Sequence, residues 1–161
     1  MIRKLAYTAT ALMLCSSLVY AKNSYNPDQL QQFNTYNQCN NCDLSGASFS
    51  GNHSSAVLAQ CNLTGSNGKG TFSATNFSGS NLSSADWSAA NLSYAQLSYI
   101  PLIKTDFTNA DLSYANFEGA NTTDAIFESA NLYGSNITQQ QLDSSKSYCN
   151  AILPNGTKKN C

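Results

Sequence analysis

The sequence predicts an all-β solenoid, a rod of stacked coils with short helical caps. Three observations carry that prediction. Large apolar residues recur at every fifth position from Phe72 to Leu142, a small residue stands two places before most of them, and Asn or Asp usually fills the place between. A helix repeats at about 3.6 residues and a strand at about 2, and neither period fits.

The large residues are Phe72, Phe77, Leu82, Trp87, Leu92, Leu97, Leu102, Phe107, Leu112 and Phe117; Thr122 interrupts, and Phe127, Leu132, Ile137 and Leu142 continue. Setting tyrosine aside, Ile100, Ile103 and Ile126 are the other large core-type residues in this window. The small residues are Ala85, Ala90, Ala95, Ala110, Ala115, Ala120, Ala125 and Ala130, and between the two stand residues such as Asn81, Asp86, Asn91, Asp106, Asp111, Asn116 and Asn131.

Ala90-Asn91-Leu92-Ser93-Tyr94 and Ala110-Asp111-Leu112-Ser113-Tyr114 fit the unit A-(D/N)-L-x-x. On these units the chain resembles the pentapeptide-repeat family over roughly residues 42–144. The resemblance implies a right-handed, four-sided (quadrilateral) β-helix in which each unit forms one side. The large residue points inward, and the residue two places earlier points inward too, where a small side chain lets the wall turn without overfilling the interior. Coils would stack at about 4.8 Å, so each residue lies beneath the one four units later.

That stacking predicts columns: Trp87, Phe107 and Phe127 in one, Phe77, Leu97, Phe117 and Ile137 in another. Working backwards, the phase slips by one residue between Leu63 and Phe72 and again between Phe49 and Leu58. Leu44, Leu63 and Leu82 then share a column, and Phe49 lies under the irregular Ser66–Gly70 stretch and then Trp87. Each buried large side chain contributes about 1.5–3 kcal/mol, against about 1–2 kcal/mol to order each backbone residue. One large residue in five does not balance that, so a lone coil should not fold.

A solenoid must cover its two sheet edges. Residues 26–33, with Asn26 as cap, Pro27 in the first turn and Leu30 and Phe33 on one side, read as a helical lid within a cap segment over residues 22–41. Thr138 before Gln139-Gln140-Gln141-Leu142-Asp143 reads as the cap of a closing helix, and Asn155-Gly156 as a turn in a capping tail over residues 145–161. That tail, and the opening Cys39-Asn40-Asn41-Cys42-Asp43-Leu44, resemble those of exported members of the family.

The start reads as a signal peptide over residues 1–21. Met1-Ile2-Arg3-Lys4 is basic, Leu5 to Leu14 is mostly apolar, and Val19-Tyr20-Ala21 suits a signal peptidase. The apolar run falls short of the roughly 20 residues of a membrane span, and nothing later supplies one. Cys15 is preceded by the large Leu14, unlike a lipoprotein signal. The expected location is therefore periplasmic or secreted.

Export leaves Cys39, Cys42, Cys61, Cys149 and Cys161 in an oxidising compartment, an odd number. Cys149 and Cys161 flank the terminal turn and are expected to pair. Among Cys39, Cys42 and Cys61 one structural bridge is expected, with the pair left open: Cys42 stacks directly under Cys61, while Cys39 and Cys42 form a CxxC. A zinc site lacks a second CxxC, and His53 is the sole histidine.

No catalytic set appears: no GxSxG or HExxH accompanies His53, which falls in an irregular stretch. Gly65-Ser66-Asn67-Gly68-Lys69 lacks the spacing and the hydroxyl of a phosphate loop. Asp86 stacks under Asp106, but Asp is what that slot of the repeat demands. No cofactor is expected.

The functional lead is aromatic. Tyr94 stacks under Tyr114, Tyr99 takes the equivalent slot on the next side, and Tyr133 falls on the side of the first two, one place earlier in its unit. These outward slots mostly carry small or polar residues, so the tyrosines could hold a protein or a glycan; a plainer role is to broaden sheet packing. The expectation is a non-enzymatic exported scaffold, with a homodimer as a further option. The rival is the family's DNA mimicry toward type II topoisomerases. That role wants a strongly acidic cytosolic rod, whereas 8 Lys and Arg against 9 Asp and Glu leave a net charge of −1. Nor is the chain basic enough for nucleic acid to be an expected partner.

Overall fold

The computed structural model describes residues 25–161. The expected signal peptide, Cys15 and the cleavage site after Ala21 lie outside the described residues. The order of elements is helix α1 (Pro27–Tyr36), strands β1 (Ser48–Phe49) and β2 (Asn67–Gly68), and helix α2 (Gln139–Ser144). Most of the β structure is a ladder of single parallel bridges, because each side of a coil is too short to count as a strand.

The bridges fall on the Asn/Asp slot. Asp86 pairs with Asp106, Asn91 with Asp111, Gln96 with Asn116 and Pro101 with Asn121, all parallel and all twenty residues apart. At each station the chain bonds in both directions: the Asp106 N–H donates to the Ala85 carbonyl at 2.9 Å, and the Trp87 N–H donates to the Asp106 carbonyl at 2.8 Å. The Asn or Asp side chain holds the next corner. Asn91 Oδ1 accepts from the Ser93 N–H at 3.1 Å and from the Ser93 hydroxyl at 2.8 Å, an Asx turn that explains the residue preference.

The corners are tight turns. The Ala95 N–H donates to the Leu92 carbonyl at 3.1 Å, and between them Tyr94 has φ of 60°. A positive φ at the second central residue alone marks a type II turn. Ala74, Ser84, Ala89, Tyr99, Lys104, Asn109 and Tyr114 repeat it with φ of 54–60°. The left-handed region costs a residue with a Cβ about 1–2 kcal/mol, so the ladder and core must outweigh it at every such corner.

The core is the expected one. The large residues from Phe72 through Leu132 are fully buried, and Ala85, Ala90, Ala95, Ala110 and Ala115 beside them are at most 1% exposed. Two of the threonines that take the small slot find a carbonyl below, Thr105 Oγ1 donating to Leu82 at 2.8 Å and Thr75 Oγ1 to His53 at 3.3 Å. The buried hydroxyls of Ser66 and Ser135 in that slot have no partner among the described residues.

The phase slips fall where the sequence puts them. Asp43–Asn62, Val57–Asn76 and Asn62–Asn81 bridge at nineteen residues, and Thr71–Asn91 returns to twenty. Phe49 pairs with Gly68, and the Trp87 ring covers Gly68 so closely that a Cβ there would overlap it.

His53 corrects the sequence reading. It is not in an irregular loop but fills an inward slot, 6% exposed, with its ring stacked between Phe33 and Phe72 at centroid distances of 4.7 and 5.0 Å. The slip is a one-residue shortening between Phe49 and His53, repeated between Gly68 and Phe72 in the next coil. Two glycines permit it, since a Cβ on Gly70 would come within 2.6 Å of the Gly51 carbonyl oxygen.

The ladder runs past the expected limits of 42 and 144. Gln38 bridges Val57, and at the far end Ser147 and Ile152 bridge Ile126 and Asn131 at twenty-one residues, α2 taking up the extra one. Helix α1 begins at the Asn26 cap, whose Oδ1 accepts from the N–H groups of Asp28 and Gln29, and lays Phe33 over the first coil. Helix α2 carries a capping box between Thr138 and Gln141. The Gln141 amide also donates to the Phe117 and Ala120 carbonyls at 2.7 and 3.0 Å, closing part of the exposed edge. Among the described residues, no helix is long and apolar enough to cross a membrane.

Candidate binding surface

Four tyrosines stand out from the walls: Tyr94, Tyr99, Tyr114 and Tyr133 are 55, 71, 45 and 47% exposed. Tyr94, Tyr99 and Tyr114 occupy the positive-φ corner slot, and Tyr133 sits one place earlier, so its side chain approaches Tyr114 from the flank.

The rings of Tyr94 and Tyr114 stack at 5.0 Å with planes 8° apart, and Tyr133 meets Tyr114 edge-on at 5.6 Å and 82°. Parallel rings cannot approach closer than about 3.5 Å, so with centroids 5.0 Å apart the ring normals lie within about 45° of the line joining them. That line follows the stacking direction. The rings therefore project as inclined shelves, with edges rather than faces toward solvent, as offset aromatic pairs do.

Glycines one coil away make the room. A Cβ on Gly134 would fall 2.5 Å from the Tyr114 ring, one on Gly119 would overlap the Tyr99 ring, and one on Gly156 would touch Tyr133 at 3.4 Å. Sequence reasoning missed these recesses. For Gly119 and Gly134 the signal is a glycine twenty residues after a corner tyrosine; Gly156, twenty-three residues after Tyr133, carries no such signal.

On the neighbouring side the Tyr99 hydroxyl donates to Glu118 Oε1 at 2.5 Å. This bond, and then the carboxylate's charge, push the Tyr99 phenol above its ordinary range. Tyr114 is also raised, first by burial and then by Tyr133 and Tyr94.

The cysteines are elsewhere. Cys149 is bonded to Cys161 with Cα atoms 5.6 Å apart, pinning the tail, and Cys39 is bonded to Cys42 at 5.9 Å. Cys61 is free and 2% exposed. Its Sγ lies 3.1 Å from the Cys39 carbonyl oxygen, and burial pushes its thiol up.

The remaining candidates are absorbed by the fold. Asp86 accepts from the Ser88 N–H at 3.0 Å and pairs with Lys69 at 3.5 Å. Asp106 accepts from the Thr108 N–H at 2.8 Å. Of Gly65–Lys69, Asn67 and Gly68 are β2 itself, paired with β1. Among the described residues no group of three or more His, Cys, Asp or Glu is placed to hold a metal ion.

Comparison with known proteins places this geometry. The pentapeptide repeats family matches residues 72–109 and 102–139, in eight copies. No curated protein matches the chain. Among solved structures, a trypsin-treated form of QnrB1, a plasmid-mediated fluoroquinolone resistance protein, is 19% identical over 72% of this chain and 69% of its own, with a TM-score of 0.51. At that identity the likeness is one of fold. HetL, a pentapeptide repeat protein involved in heterocyst differentiation regulation in the cyanobacterium Nostoc sp. strain PCC 7120, is 27% identical over 75% of this chain, with a TM-score of 0.45. The match spans 61% of HetL's length. A pentapeptide repeat protein of the Arabidopsis thaliana thylakoid lumen is 28% identical over 70% of this chain and 77% of its own, with a TM-score of 0.46. Five-residue period, bridge ladder and family match agree, and residues 72–139 of this chain are pentapeptide repeats.

Proposed function

We propose that this protein is an exported, non-catalytic scaffold, folded as the right-handed four-sided β-helix of pentapeptide-repeat proteins, that docks a protein partner on its tyrosine-bearing wall. The carrying observation is the shelf of Tyr94, Tyr114 and Tyr133, partly exposed and held in one arrangement by mutual stacking and by the Gly134 recess. Rings fixed this way lose little side-chain entropy on binding, and tyrosine is among the residues that anchor interfaces. A protein fits better than a glycan. A sugar stacks on an aromatic face, and here the facing sides of Tyr94 and Tyr114 are taken up by each other. The outer face of Tyr94, the ring edges and the hydroxyls remain, a combination that suits the mixed apolar and hydrogen-bonding chemistry of a protein surface.

Export is supported by the basic, apolar and small-residue order of residues 1–21 and by the two disulfides that the remaining chain holds. Two measurements test the reading. The intact mass of protein from the native host should correspond to a chain starting at Lys22 with two disulfides; a full-length reduced chain overturns export. In pull-downs from envelope extract, a partner captured by the native protein should be lost with the Tyr94→Ser/Tyr114→Ser double variant and kept with Ser83→Ala on another side. Equal capture by all three overturns the tyrosine wall as the docking surface.

A further inference from the structure

We propose that Cys39, Cys42 and Cys61 form a disulfide-exchange site, in which Cys61 displaces Cys39 from Cys42 and staples the first two coils together. Cys42 stands two places before Leu44 and Cys61 two places before Leu63, so both occupy the small inward slot. The parallel bridge between Asp43 and Asn62 is the adjacent station, and the Asn62 N–H donates to the Cys42 carbonyl at 2.8 Å. The two slots are therefore stacked. A stacking distance of about 4.8 Å lies within the Cα separations of about 4.4–6.8 Å that a disulfide spans. The existing Cys39–Cys42 bond uses 5.9 Å of the same range. The fold thus accommodates either of two bonds that share Cys42.

The third sulfur is already in place. Cys61 Sγ reaches the Cys39 carbonyl oxygen at 3.1 Å, and Cys39, Cys42 and Cys61 are 0, 4 and 2% exposed. A large external thiol has no path to this bond, whereas Cys61 adjoins it. In the exchange the Cys61 thiolate attacks Cys42 Sγ and forms the Cys42–Cys61 bond. The Cys39–Cys42 bond breaks, its electron pair leaves on Cys39 Sγ, and Cys39 takes up the proton that Cys61 gave up. One disulfide and one thiol exist before and after, so no oxidant is consumed.

The two forms differ in what they tie. The Cys39–Cys42 bond closes a short loop beneath α1, where Cys39 Sγ approaches the Gln29 carbonyl oxygen at 3.7 Å. The Cys42–Cys61 bond would lock one coil onto the next and leave a thiol under the α1 lid. Covalent constraint would move from the cap to the ladder.

The test is disulfide mapping under acid-quenched alkylation. Cys39→Ser, reduced in denaturant and refolded in a buffer of oxidised and reduced glutathione so that the thiols pair as the chain folds, should yield the Cys42–Cys61 linked peptide as its major species while remaining monomeric and folded by circular dichroism. Folded Cys39→Ser in which Cys42 and Cys61 both stay alkylatable overturns the proposal. Should that variant not fold, the native oxidised protein decides. After incubation at a pH high enough to ionise Cys61, label appearing on Cys39 together with the Cys42–Cys61 peptide supports the exchange. Label confined to Cys61 overturns it.

Discussion

Trp87 lies over Gly68, the one inward slot of its column without a side chain, and the indole occupies the space a Cβ would need. The largest side chain of the core and the smallest residue are thus a matched pair in consecutive coils. Gly68→Ala should overpack the interior and destabilise the protein by about 1–3 kcal/mol. Trp87→Leu alone should destabilise by opening a cavity. The double variant should be more stable than the sum of the two single effects implies, because the smaller residue relieves the added methyl. Chemical denaturation of the four proteins measures that coupling, and strict additivity would disprove the pairing.

His53 makes the N-terminal cap sensitive to acid. Asn37 donates its side-chain amide to the Ser54 carbonyl at 3.2 Å, which turns its Oδ1 toward His53 Nδ1 at 2.6 Å, so Nδ1 carries the proton and donates. Burial lowers the His53 pKa from 6.5, only partly opposed by the Ser50 carbonyl. A base with a depressed folded pKa binds fewer protons folded than unfolded, so its contribution is complete above the unfolded value. It declines as pH falls below 6.5 toward the folded pKa. Since Phe33 of α1 stacks on this ring, amide exchange in α1 should quicken over that acid window before the central coils respond. His53→Phe, which keeps the stack and lacks the titrating group, should flatten the dependence. An unchanged pH profile in that variant would rule His53 out as its source.

Tyr99 and Glu118 offer a spectroscopic handle on the neighbouring wall. The hydrogen bond to the carboxylate and its charge favour the neutral phenol and raise its pKa above 10.0. Glu118→Gln removes the charge and keeps an acceptor, so ultraviolet titration should show one tyrosine ionising at lower pH than in the native protein. Glu118→Ala should lower it further. Superimposable titrations of all three would mean that the pair does not persist in solution.

The core was largely legible in the sequence, and the reason is geometric. A coil built from five-residue sides leaves one large and one small inward slot per side, so size alone reports orientation; Trp87, Leu92 and Ala95 are buried as their spacing requires. His53 was not legible, because an imidazole in an inward slot becomes recognisable only once Phe33 and Phe72 are seen on either side of it. The extra residue at Ser147 was hidden for a different reason: α2 interrupts the period before the chain rejoins the ladder. The tyrosines could be placed on their sides from the period, but not oriented. Their tilt depends on the Tyr94–Tyr114 stack and on glycines a full coil away, a relation between coils that no single unit contains.

The Cys149–Cys161 bond should act on the last coil rather than on the whole rod. A loop of this length is worth about 3 kcal/mol when the entire chain unfolds as one unit. A solenoid unfolds in nearest-neighbour steps, and the tail meets only the final coil, through the Ile152 N–H to the Ala130 carbonyl at 2.9 Å and the Leu132 N–H to the Ile152 carbonyl at 2.8 Å. Cys161→Ser should therefore free residues 147–161 to fray and uncover an edge that invites strand pairing between molecules. Hydrogen exchange should accelerate at Ile152, whose N–H bonds the final coil, and at Lys159, whose N–H bonds the Ala151 carbonyl within the tail, while Phe107 and Leu92 keep their native protection. Light scattering should rise with protein concentration as exposed edges associate. If exchange instead accelerated uniformly from Leu58 to Ile152, the rod would be unfolding as a single cooperative unit and the bond would be stabilising all of it.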